Sequence, residues 1–304
     1  MTNILFLNHE KSQCGVYNYG VRLYNIWKKS ENITFTYKEI NTLYDYNLIV
    51  FDNFRYILYN YHECTMPWLS LSSISNKVIN IGILHECIPN MFNYCINTQS
   101  DIPRPIFTDI PNNIVTVNNN IIHFLNYRID SNIPIIGSFG FGFTNKGFDK
   151  IIKYTNEQYD DAIIKIIMPY ADFGDKTGEI SRYVSMLCNN IEIKPNIKVM
   201  IIHDFLDDND ILYFLSKNTI NVFLYDYMHC RGISSTIDFA LSVDTPLAIS
   251  DSYMFRHIYD DSICLYKTLF QDCMSNSIPI IKKYRDIYSH KNSIEFIENY
   301  IGSI

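Results

Sequence analysis

Apolar residues fall along this chain in short runs, separated by polar loops and by stretches whose apolar positions recur at helical spacing. The first run, NILFLN at 3–8, has the length of a strand, and after the loop 9–15 the residues Val16, Tyr19, Leu23, Ile26 and Trp27 line one face of a helix. The stretches 33–40 and 47–51 read as further strands, and 66–74 as a helix with Pro67 in its first turn. KVINIGIL at 77–84 is a buried strand that ends on His85 and Glu86. The Pro- and Asn-rich stretch 89–111 has no period and reads as loop, 114–117 as a short strand and 119–127 as a helix.

After a polar linker at 128–134 the rhythm restarts. Strands are expected at 135–139, 162–168, 197–202 and 219–225, with helices at 147–154, 178–188 and 210–216. The segment 222–250 then gives strand, polar loop, a helix opening on Ser234-Ser235-Thr236, a turn at Asp244-Thr245-Pro246 and a strand at 247–249. Beyond it come a short helix near Phe255, a strand at 263–265 and two helical stretches ending at 301. Strands alternating with helices in both halves predict an α/β chain of two Rossmann-like domains, with parallel sheets facing across a cleft. The expected domains are 1–130 and 131–304, the last helix being a candidate to pack back on the first.

Composition narrows the function classes. The chain of 304 residues is 47% apolar, enough for two cores, and no apolar run has the length of a membrane span. A formal net charge of −7 argues against a general nucleic-acid binder. The 8 cysteines form no CxxC pair, which points to reduced thiols and a cytoplasmic location. The repeated tripeptides His62-Glu63-Cys64 and His85-Glu86-Cys87 lack zinc spacing, and Asp208-Asn209-Asp210 reads as a helix start, so no metal site is expected.

Two loops carry the chemistry. In Gly137 to Gly147, glycines at 140 and 142 allow backbone N–H groups to approach a phosphate, and Lys146 offers a cation at a helix start. The second loop offers Arg231, Gly232 and the hydroxyls of Ser234, Ser235 and Thr236; one hydroxyl is expected to cap the helix. His9 and His85, each at a strand end, are candidates for acid, base or sugar-hydroxyl ligand.

These residues resemble the GT-B glycosyltransferases of the GT4-like group. Gln13 to Tyr19 resembles the N-terminal glycine loop, Leu84-His85-Glu86 the strand-ending histidine, and Ile136 to Phe148 the "G…KGF" start of the donor domain. Arg231 to Ala240 with Asp244 to Ser250 resembles the "EGFG…EA…G.P" block. The resemblance implies a hexosyltransferase-type enzyme that moves a sugar from a nucleotide-sugar co-substrate to a glycan or other carbohydrate acceptor, with no metal or other cofactor. It implies donor contacts at Gly15, Gly140, Gly142, Lys146, Arg231, Gly232, Ile233, Ser234, Ser235 and Thr236, and His85 with Glu86 at the reacting sugar. Arg231 and Phe239 stand where the family carries acids, so the alternative is an inactive protein of the same fold that binds nucleotide sugars or glycans.

Overall fold

The computed structural model describes residues 2–10, 13–86, 90–98, 100–130 and 132–304; Lys11, Ser12, Cys87, Pro89, Gln99 and Ser131 of the stretches above lie outside the described residues. The chain divides into two compact units. One comprises Met1–Pro105, Cys230–Ile233 and Ile287–Ile304, the other Ile106–His229 and Ser234–Asp286.

In the first unit β1 (Thr2–His9), α1 (Gly15–Trp27), β2 (Ile33–Ile40), α2 (Leu43–Asn47), β3 (Tyr56–Tyr61), β4 (Ile79–Leu84) and β5 (Tyr94–Asn97) follow in chain order. The strands form one sheet, β2-β1-β3-β4-β5, in which every pair is parallel. Burial on both faces explains the continuous apolar runs. Ile4 and Phe6 of β1 pack toward Tyr19, Leu23 and Trp27 of α1, whereas Leu5 and Leu7 pack toward Tyr46, Met66 and Leu69. The C-terminal helix His290–Ser303 joins the α1 side, burying Ile297 and Ile301 there, and Trp27 Nε1 donates to Ser293 Oγ at 3.0 Å.

Several expectations for this half are corrected. The strand expected at 47–51 is the end of α2 and a single 3₁₀ turn at Phe51–Asn53. The strand beside β1 is YILYNY, whose tyrosine and asparagine content hides its burial: all of its residues are buried. Two of the polar side chains are paired internally, with Tyr59 Oη donating to Asn80 Oδ1 at 2.8 Å and Asn60 Nδ2 to Asn8 Oδ1 at 2.8 Å. The helix expected at 66–74 is a series of turns, where Ser70 and Ser73 hydrogen-bond locally and compete with helical bonding. A short strand, β5, lies within the stretch read as loop, and no strand forms at 114–117.

In the second unit the order is α3 (Asn119–Asn126), β6 (Ile135–Phe139), α4 (Phe148–Gln158), β7 (Asp161–Ile167), α5 (Glu179–Asn189), β8 (Asn196–Ile202), α6 (Asp208–Ser216), β9 (Ile220–Phe223), α7 (Thr236–Ser242), β10 (Leu247–Ile249) and α8 (Phe270–Ile287). The sheet runs β10-β9-β6-β7-β8, again all parallel. At 263–265 only Cys264 bridges Ile249, next to a 3₁₀ turn at Asp261–Ile263, so the strand expected there is absent. The division falls at Pro105/Ile106 and not at 130/131, because side chains of the second unit hold the preceding segment. The amides of Val115 and Thr116 donate to the Asp210 carboxylate at 2.6 and 3.0 Å, and that of Phe107 to Ser242 Oγ at 2.8 Å.

The two strand orders place a switch point in each unit. Chain direction across the sheet reverses between β1 and β3 in the first unit and between β6 and β9 in the second. Crevices at the carboxyl ends of such strands are where ligands bind in open parallel sheets.

Candidate functional site

At the second unit's switch point, β6 ends on Phe139 and β9 runs out through Leu224 and Tyr225. Gly147 lets the two loops close: its φ is +65°, and a Cβ there would lie 2.0 Å from the Leu224 carbonyl oxygen. The amide of Asp226 donates to the Asn145 carbonyl at 2.9 Å, and Lys150 pairs with Asp226. Ser250 Oγ donates to the Tyr225 carbonyl at 2.6 Å and Ser252 Oγ to that of Asp226 at 2.9 Å. Main chain and side chains thus lock the β6–α4 loop to the end of β9.

This frame presents Lys146. Its ammonium lies 3.8 Å from the centre of the buried Tyr225 ring, a cation–π contact, and among the described residues no carboxylate pairs with it. Tyr225 Oη lies 3.2 Å from Thr236 Oγ1, which is 2.9 Å from Ser234 Oγ. A lysine, a phenol and two hydroxyls therefore form one linked set. Gly140 borders it, with the Tyr225 hydroxyl 3.2 Å from where its Cβ would lie.

The glycine loop itself differs from the expected phosphate cradle. The N–H of Gly140 donates to the Ile167 carbonyl at 3.0 Å and that of Gly142 to the Pro169 carbonyl at 3.3 Å, so both already hold the edge of β7. A Cβ at Gly142 would meet Ser181 Oγ at 2.3 Å, so this glycine serves close packing against α5. Ser235 occupies the N-cap position of α7 but makes no side-chain cap, in contrast to the expected capping hydroxyl; Ser234 and Thr236 bond to each other. Phe239 packs on Phe139 at 5.3 Å between ring centres, in the core.

Arg231, Gly232 and Ile233 group with the first unit, not with the donor-side residues as expected. The reason is Glu86: its Oε1 accepts from the Gly232 amide at 3.1 Å and lies 3.7 Å from Arg231 Nε, while Oε2 lies 3.6 Å from His62 Nε2. The His62 contact, the Gly232 amide and Arg231 outweigh burial and hold the Glu86 carboxyl below the usual range, so it is ionised at neutral pH.

In the first unit three neighbouring strands, β1, β3 and β4, lead into His9, His62 and His85. Asn60 Nδ2 donates to Asn8 Oδ1 at 2.8 Å and to the Val16 carbonyl at 2.8 Å, which turns its oxygen toward His85 Nε2, 2.7 Å away. An amide oxygen only accepts, so Nε2 of His85 carries the proton. Burial, with Arg104 and His62 nearby, pushes its pKa down to about 3. Gly15 opens α1 in this unit, after Cys14, whose side chain makes no cap bond. Among the described residues no group of three His, Cys, Asp or Glu side chains could hold a metal.

No protein-family model matches the chain, and no curated protein matches it in sequence. Solved structures match over its whole length. HepE of Anabaena in complex with UDP-glucose aligns at 10% identity over 100% of both chains, with a TM-score of 0.72. An alpha,alpha-trehalose-phosphate synthase (UDP-forming) from Burkholderia xenovorans in complex with glucose-6-phosphate aligns at 10% identity over 99% of each, with a TM-score of 0.61. A glycosyltransferase from Rickettsia africae aligns at 12% identity over 99% of this chain and 97% of its own, also at 0.61. The chain has the GT-B fold.

Within this GT-B chain, sequence reasoning located Lys146, Ser234, Thr236 and His85 but missed Tyr225, Asn8 and Asn60. Tyr225 read as the last apolar residue of a strand, and the asparagines were lost among many scattered ones. Their signal is position: each stands at or just past the end of a strand bordering a switch point. No helix among the described residues is long and apolar enough to cross a membrane.

Proposed function

We propose that the protein is a glycosyltransferase that moves a sugar from a nucleotide-sugar donor to the hydroxyl of a carbohydrate acceptor. The observation that carries this reading is the Lys146 ammonium, held over Tyr225 at the second unit's switch point without a carboxylate partner among the described residues. In the reaction the bond from the anomeric carbon to the β-phosphate oxygen breaks, and its electron pair leaves with the nucleoside diphosphate. The acceptor oxygen forms the new bond to that carbon and gives up its proton. Charge grows on the departing diphosphate, and Lys146, with the hydroxyls of Ser234 and Thr236, meets that charge without a metal. Within the first unit, neutral His85 is proposed as a hydrogen-bond partner of a sugar hydroxyl, while Glu86 anchors 230–233. UDP-glucose, present in one HepE complex, is the first donor to test.

Calorimetric titration with UDP and UDP-glucose, alongside UDP release, tests the reading. Lys146→Ala removes one charge-assisted contact, so affinity for UDP should fall by about 10- to 100-fold. Melting without ligand should stay close to wild type, since among the described residues the ammonium rests on one ring face and has no carboxylate partner. Unchanged UDP affinity in Lys146→Ala would refute the assignment. The inactive reading is favoured by Phe239 in the core and Arg231 held by Glu86; tight UDP-glucose binding with no UDP release in the presence of a range of sugars would establish it.

A further inference from the structure

The second unit carries an open groove of about 470 Å³ at the C-terminal end of α4, a volume within the roughly 300–1,000 Å³ of small-molecule sites. Lys150, Tyr154, Glu157 and Gln158 stand at i, i+4, i+7 and i+8, so they share one face of that helix. Lys150 pairs with Asp226 in the frame that presents Lys146, and the other three line the groove. At a rise of about 1.5 Å per residue, Glu157 lies about 10 Å along α4 from Lys150.

Both walls are fixed before any ligand arrives. Gln158 Oε1 accepts from the Phe270 amide at 2.9 Å, which ties the end of α4 to the start of α8, and the rings of Tyr159 and Phe270 meet at 5.5 Å. The segment from Leu265 to Leu269 turns back on the Cys264 carbonyl, which accepts from the Lys267 and Thr268 amides at 2.8 and 3.1 Å. Thr268 Oγ1 donates to Asp272 Oδ2 at 3.0 Å.

The lining matches the two aspects of a sugar ring. Tyr154 and Tyr266 lie 5.7 Å apart between ring centres, at 34°, and Leu269 in the same lining is 59% exposed. A ligand held between two rings needs about 7 Å, twice a van der Waals contact, so it meets this pair from the open side, as an aromatic floor. A floor suits the C–H face of a pyranose and lacks the opposed walls that enclose a compact cation. Groups of both hydrogen-bonding kinds stand beside it. The Glu157 carboxylate has no partner among the described residues and accepts; the NH2 of Gln158, whose oxygen is taken by Phe270, donates, as does Lys267. A sugar hydroxyl does both. We propose that this groove is a second carbohydrate site, which binds a pyranose ring of a neutral glycan away from the Lys146 frame. It goes beyond the transferase reading and does not rest on it, since the lining lies wholly in the second unit and needs no nucleotide.

The test titrates the full chain, without nucleotide, with maltotriose, cellotriose, chitotriose and mannotriose, and with choline as a cation, followed by saturation transfer in the NMR spectrum of each probe. At least one trisaccharide should bind with a Kd of about 1 mM or tighter. Glu157→Ala changes an exposed side chain and removes a charged acceptor, so that binding should weaken about tenfold. Tyr154→Ala should weaken it by about threefold to tenfold, and Tyr154→Phe, which keeps the ring, should retain it. Binding of none of the trisaccharides at about 10 mM, or of choline alone, overturns the proposal. So does a trisaccharide affinity unchanged in both Glu157→Ala and Tyr154→Ala. An affinity that falls in Lys146→Ala and not in Glu157→Ala overturns it too, and puts the sugar at the proposed transfer site. Binding weakened by Glu157→Ala in a protein that releases no UDP from UDP-glucose supports the groove and counts against the transferase reading alone.

Discussion

Gly147→Ala should be among the most damaging single-methyl additions to the second unit. The residue sits at φ +65°, where an alanine is strained by about 1–2 kcal/mol relative to glycine. Its Cβ would also lie 2.0 Å from the Leu224 carbonyl oxygen, whereas a comfortable carbon-to-oxygen contact is about 3.3 Å. The oxygen must therefore retreat by roughly 1 Å, and neighbouring bonds resist: Ser250 holds the Tyr225 carbonyl, and Asn145 and Ser252 hold Asp226 on both sides. Overpacking of this kind costs about 1–3 kcal/mol, so the total expected loss is near 3 kcal/mol. At a slope of about 3 kcal/mol per molar urea, the unfolding midpoint should fall by roughly 1 M. Gly302→Ala is the matched control, because nothing lies within 4 Å of its added Cβ and it sits in the last turn of the C-terminal helix. There the same methyl should stabilise by up to about 1 kcal/mol through helix propensity. A midpoint for Gly147→Ala within about 0.2 M of wild type, or equal losses for the two variants, would refute the reasoning.

Two predictions concern buried bases. His85 is neutral in the folded chain down to about pH 3, while the unfolded chain binds the proton near 6.5. Its contribution to stability is therefore complete above 6.5 and is lost as pH falls toward 3, amounting to about 2 kcal/mol by pH 5. His85→Asn should flatten the fall in urea midpoint between pH 7 and 5, and an unchanged slope would contradict it. Lys165, buried on β7 with its ammonium donating to the Leu125 carbonyl at 3.0 Å, has a pKa pulled down to about 8 by burial and by Arg128. The unfolded lysine keeps its proton to about 10.4, so this group's contribution is complete above that value, is lost as pH falls from there to 8 and is level below 8. The stability difference between wild type and Lys165→Met should shift toward wild type across that window, by at most about 3 kcal/mol, and a difference that stays level would exclude the shift.

How much of this could be read beforehand depended on whether burial and polarity agreed. Where strands were rich in Ile, as at 135–139 and 162–168, the apolar run located them to within a residue or two. YILYNY failed that reading because its buried polar atoms are satisfied by partners far along the chain, Asn8 and Asn80, which no local window contains. The serine-rich turns at 70–73 failed in the opposite way, since an apolar spacing suited to a helix was overruled by side-chain hydrogen bonds to nearby backbone. The domain boundary was misplaced for a related reason: Asp210 holds Val115 and Thr116 across nearly a hundred residues, and composition records only a polar stretch after them.

The same limit separates the readable from the unreadable part of the candidate site. Lys146 could be found because a cation at a glycine turn between a strand and a helix is a local pattern. What turns that lysine into a candidate ligand is not local. Tyr225, from a strand some eighty positions later, carries the ring beneath its ammonium, and Gly147 admits the Leu224 carbonyl that brings that strand end close. Arg231 and Gly232 show the converse. Their sequence suggests a phosphate loop, but the Gly232 amide already donates to the Glu86 carboxylate, which also lies 3.7 Å from Arg231 Nε. Local chemistry therefore nominates groups, and the hydrogen bonds they have already made decide which remain for a ligand. By that criterion Lys146 and the Nε2 of His9 stand out, one a cation without a carboxylate partner and the other a buried ring nitrogen without a hydrogen-bond partner, both among the described residues.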